Sequence, residues 1–154
     1  MLVLGCGALG CGAGTRGPVQ DTQAFECKNR IASYSASHHM GGDELGVELD
    51  CAAAGPRIKR WRTDRNGKRE EAIKSLPPGE FERAWHEIDG TGWPNLKDCA
   101  SSSGSDPIYV FDIKDDQNQA TFQCRSRAMP YPYNTIVDPL DFAAQAAPLG
   151  DDDK

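Results

Sequence analysis

His38, His39, Met40, Asp43 and Glu44 bring two imidazoles, a thioether and two carboxylates into seven residues. Imidazole with carboxylate is a donor set for zinc and similar ions, and thioether with imidazole is one for copper. His38, His39 and Asp43 are the ligands such a site would use. Against it, adjacent residues of a strand point to opposite faces and Gly41-Gly42 fixes no geometry, so a polar loop is the plain alternative. A second run is cationic: from Arg57 to Arg69 seven of thirteen residues are basic, and Asp64 is the only acid. With Trp61 among them, Arg57, Lys59, Arg60, Arg62 and Arg65 suit an anionic polymer, lipid headgroups or an acidic protein surface. The plain alternative is a solvated hairpin whose charges keep an edge strand from aggregating. Trp61 is expected to be exposed there. No G-x-S-x-G or H-E-x-x-H motif occurs, so no catalytic group is assigned and no cofactor is expected.

Cys27, Cys51, Cys99 and Cys124 are an even set with no two close enough for C-x-x-C. That spacing disfavours a zinc ribbon or a thioredoxin-type pair and favours two disulfides in an oxidising compartment. Three connectivities are open. Cys27 with Cys51 and Cys99 with Cys124 is preferred, because it joins sequential elements that tend to be neighbours. Four buried thiols are the alternative.

The elements that must position these groups follow from periodicity. Leu45, Val47, Leu49 and Cys51 alternate with Glu44, Glu48 and Asp50 as in a half-buried strand, and a first strand is expected within 24–35. Ile58 and Trp61 mark a third strand, which Asn66-Gly67 turns tightly, both residues tolerating positive φ, into a return arm over 69–75. Pro77-Pro78-Gly79-Glu80 opens a helix whose Phe81, Ala84, Trp85 and Ile88 form one apolar stripe, with Trp85 as its central anchor, and Gly90 and Gly92 end it. His86 on that helix is expected to be solvated or partly buried. Residues 101–105 read as a flexible loop, 108–113 and 120–126 as a hairpin, and Asp138-Pro139 as the start of a last helix. Strands with segregated helices indicate an α+β fold: an antiparallel sheet of about five to six strands, two helices packed on it, and two disulfides.

The 154 residues fit one domain, expected over 22–148, with a tether before it and a disordered acidic tail at 149–154 that resembles a tag or protease site. A formal charge of −6 argues against nucleic acid as the main partner. No apolar run approaches the roughly 18–20 residues of a membrane-spanning helix, which leaves a lipid anchor as the expected membrane attachment.

Residues 1–21 carry two further motifs. The stretch from Gly5 to Gly10 matches the G-x-G-x-x-G fingerprint, but only Leu2 to Leu4 could be its strand, and Gly12, Gly14, Gly17 and Pro18 interrupt its helix. Val3-Leu4-Gly5-Cys6 resembles the lipobox of bacterial lipoproteins, which implies Cys6 as the lipidated residue and an extracytoplasmic domain in the cell envelope. Leu4 is larger than that pattern prefers, and no basic leader precedes it. A Gly-rich leader with incidental thiols is the alternative.

From Leu76 onward, the order of a Pro-led helix with Phe81 and Trp85, a short Trp93 and Leu96 segment, a Tyr109 and Phe111 strand, a second strand and a helix near Val137 and Leu140 resembles emfourin, a proteinaceous inhibitor of metalloproteases. The resemblance covers about half the chain, and the cysteines and the N-terminal half depart from it, so no inhibitory residue is carried over. Three functions are therefore expected in order: a monomeric, non-enzymatic secreted or lipid-anchored domain that binds a protein or an anionic surface; a secreted protease inhibitor; and a metal-binding protein.

Overall fold

The structure, a computed structural model, describes residues 25–37, 42–100 and 104–150. Strands β1 (Ile31–Ser37), β2 (Glu44–Ala52), β3 (Gly55–Thr63) and β4 (Arg69–Ser75) form a meander. Helix α1 (Pro78–Asp89) and a single 3-10 turn (Trp93–Asn95) follow, then the hairpin β5 (Ile108–Lys114) and β6 (Gln119–Arg125), and helix α2 (Asn134–Ala144). All six strands join one antiparallel sheet in the order β4-β3-β2-β1-β5-β6. This is the expected α+β architecture. β1 is central because its Ala32, Tyr34 and Ala36 are buried while Ser33, Ser35 and Ser37 turn to the other side.

Strand alternation gives the sheet two unlike faces. Val47, Leu49, Cys51, Ile58, Phe111, Ile113, Phe122 and Cys124 share the face of Tyr34, and there α1 and α2 pack. Among the described residues nothing covers the opposite face. On the covered side the rings of Phe111 and Phe122 stack at 5.1 Å, with Tyr133 edge-on to Phe122. Trp85 stacks on Phe81 and meets Trp93 at a steep angle. Trp85 is buried as expected, yet the deeper residue is Trp93 at 0% exposure.

Both preferred disulfides are present. Cys27–Cys51 ties the segment ahead of β1 to the end of β2, with Cα atoms 4.9 Å apart, and Cys99–Cys124 ties the segment after the 3-10 turn to β6, at 4.8 Å.

Four expectations are corrected. β1 runs past the expected 24–35 to Ser37, and the first half of that range is lost to residues 25–30, which form a clamp outside the sheet. At the β3–β4 turn only Gly67 has positive φ, and the wider turn is closed by the Asp64 carboxylate accepting from the Asn66 and Lys68 amides. α2 starts at Asn134 with Pro139 inside it, since a stripe of Ile136, Val137, Leu140, Ala143 and Ala144 gains more from burial than one missing amide hydrogen bond costs. Leu149, assigned to the tail, is only 6% exposed, so the packed body extends through it. Residues 1–24, including Cys6, lie outside the described residues, as do 101–103 and 151–154.

Candidate functional site

The β2–β3 register places Glu44 opposite Thr63, Gly46 opposite Trp61, Glu48 opposite Lys59 and Asp50 opposite Arg57, all on the uncovered face. Arg60 and Arg62 lie on the other face, opposite Val47 and Leu45. The basic run is thus divided between the two sides of the sheet. Most of its cations are also paired with acids. Arg57 makes a two-pronged pair with Asp50 at 3.0 and 2.6 Å, which raises the guanidinium pKa, and Lys59 reaches Glu48 at 2.7 Å. Arg62 and Lys68 share Glu70, whose pKa these hydrogen bonds lower, and Arg69 meets Glu71.

Trp61 is 8% exposed rather than open to solvent. Its indole lies flat on Gly46, so close that a Cβ added there would sit 2.0 Å from Cζ2. Lys59 and Arg69 approach its ring at 5.6 and 5.0 Å, and its Nε1 donates to Glu44 at 3.3 Å. A ring covered in this way is structural on the sheet's outer side.

His38 and His39 lie outside the described residues. Asp43 faces Arg65 at 3.6 Å, which joins the β1–β2 loop to the β3–β4 turn at one end of the sheet. Among the described residues no three His, Cys, Asp or Glu converge as metal ligands.

Two polar constellations escaped the sequence reading. Arg30, 8% exposed, donates to both oxygens of Glu82 at 3.1 and 2.5 Å and to the carbonyls of Glu26 and Cys27. Its guanidinium lies over Phe81 at 4.8 Å and near Phe25 and Trp85. The Arg30 hydrogen bond holds the Glu82 carboxyl below the usual range. On α2, Asp141 accepts from the buried Tyr34 hydroxyl in a cleft of about 410 Å³ that Arg60 also lines. Burial, and then the Asp141 hydrogen bond, push the Tyr34 pKa up, and burial pushes that of Asp141 up. A tyrosine so held stays protonated and acts as a fixed hydrogen-bond donor.

The third feature is a groove of about 360 Å³ between α1 and α2 on the outside of the helical layer. Ala84, Pro139 and Ala143 form its floor, and Phe142, 62% exposed, stands beside it. The sequence contained a signal for this: Phe142 falls off the buried stripe of α2. No family model matches the chain, and no curated protein matches it.

Proposed function

We propose that the chain is a non-enzymatic extracytoplasmic binding domain. The supporting observation is the pair of cross-links, which pin the segments before β1 and after α1 to opposite halves of the sheet. Such bonds persist in oxidising compartments, and a frame ordered in advance lowers the entropy cost of holding a partner. The test is intact mass of the protein produced in an oxidising compartment, before and after reduction. A gain of four hydrogens is expected; no gain would return the chain to a reducing compartment.

One feature favours the second reading, a secreted protease inhibitor. The Asp64 carboxylate braces the β3–β4 turn at 2.8 and 2.9 Å, and that turn carries Arg65 with its side chain 72% exposed. A braced loop with a basic tip matches proteases that accept Arg. Incubation with a panel of secreted proteases is expected to give stoichiometric inhibition that Arg65→Ala removes if this reading holds; inhibition nowhere in the panel ends it. Metal binding through His38 and His39 is tested by zinc and copper titration, where absence of saturable binding ends that reading.

A further inference from the structure

The charges of the molecule are distributed unevenly. On the sheet, Asp50, Glu48, Glu70 and Glu71 each meet a cation of the same sheet. Around the α1–α2 groove, Glu80, Glu87 and Asp138 stand with Arg83, three carboxylates to one guanidinium. None of these four side chains forms an ion pair among the described residues. Between them lies the apolar floor of Ala84, Pro139 and Ala143, with Phe142 presenting most of its ring to solvent. A protruding aromatic beside an apolar trough with an acidic rim has a definite complement. It is an apolar side chain to fill the trough, with cations on either side to meet the rim.

We propose that the α1–α2 groove docks a short segment of a partner protein that carries a large apolar residue flanked by Lys or Arg. This rests on the binding-domain reading and names the class of partner it takes. An anionic membrane is the wrong partner for this face, because its surface potential repels the carboxylate rim. A second copy of the chain fits less well, since on its β3–β4 hairpin Arg57, Lys59, Arg62, Arg65, Lys68 and Arg69 are already engaged by its own acids, which leaves Lys74 beside Ile73 as the one exposed cation and apolar residue together there.

The experiment uses the full chain with its disulfides intact. The probes are fluorescent short peptides with Phe or Leu between Lys and Arg residues, read by anisotropy. Binding that weakens with salt is expected, together with at least about a tenfold loss in the Glu80→Lys, Glu87→Lys double variant and in Phe142→Ser. Arg83→Ala is expected to bind as well as or better than the parent. All these sites are exposed, so melting curves are expected to coincide, and a variant that melts early is replaced by Asp138→Asn. Peptides with Glu in place of the cations, and vesicles rich in phosphatidylglycerol, are the opposing arms. Binding of either in preference to the basic peptides overturns the proposal, as does basic-peptide binding that the variants leave unchanged. A concentration-dependent dimer abolished by Phe142→Ser, or no binding of any basic peptide, overturns it too. The mass change on reduction is independent of this result, so a failed groove and a failed compartment assignment are distinguishable.

Discussion

Gly46 and Trp61 behave as one unit. Gly46→Ala forces the indole off the strand and is expected to cost about 1–3 kcal/mol, measured by urea denaturation. In a Trp61→Val background the same change is expected to cost less than about 1 kcal/mol, because the clash is gone; equal costs in both backgrounds would show that the ring does not set the constraint. Trp85→Ala is expected to cost about 3–5 kcal/mol, and Trp61→Ala also to lower the melting temperature, because its ring is covered rather than exposed. The burial of Trp61 was legible only through pairing. A turn at Ala53 and Ala54 puts Gly46 across from Trp61, and a missing side chain there makes a seat for a large one. Arg30 gave no such signal, because its three rings and its carboxylate come from residues up to 55 positions away. Its partner Glu82 sets a pH dependence. With the folded-state pKa lowered, the pair stabilises above the ordinary glutamate value of 4.5, and that stability is lost as pH falls through the folded value. Glu82→Gln is expected to flatten this acid limb in a series of denaturation midpoints, and an unchanged limb would remove Glu82 as its source.

The strands were more legible than the helices. β2 shows the expected alternation and β4 matches its expected 69–75, because alternation is the direct imprint of a half-covered sheet. α1 was equally plain, with a Pro-led start, a four-residue stripe and a terminal glycine. α2 was misplaced because Pro139 looked like a first residue, whereas the stripe begins a turn earlier at Ile136. The two disulfides close loops of nearly equal length, 24 and 25 residues apart, so chain entropy assigns each about 3–4 kcal/mol. Replacing Cys27 and Cys51 by Ser is expected to cost as much as replacing Cys99 and Cys124. A clear inequality in denaturation would mean that one cross-link also organises contacts in the native state, the Arg30 clamp being the first suspect for Cys27–Cys51.

Among the described residues the sheet has one covered face and two unlike edges. At β6 the Asp98 carboxylate accepts from the Gln123 amide at 2.8 Å and the Cys99 amide donates to the Gln123 carbonyl at 3.0 Å, so the segment held by Cys99–Cys124 occupies that edge. At β4 nothing among the described residues pairs outward, and the strand carries charges at Arg69, Glu70, Glu71 and Lys74. In the language of polymer chemistry, the described body of the oxidised protein is a monofunctional unit. Two copies joined through β4 leave no reactive end, and growth stops at two. Removing the Cys99–Cys124 link frees the strap, exposes a second edge and makes the unit bifunctional. Concentrated Cys99→Ser, Cys124→Ser protein is therefore expected to scatter light and bind thioflavin on standing, whereas Cys27→Ser, Cys51→Ser protein of matched stability stays clear. On this account one cross-link sets chain termination, and the other does not.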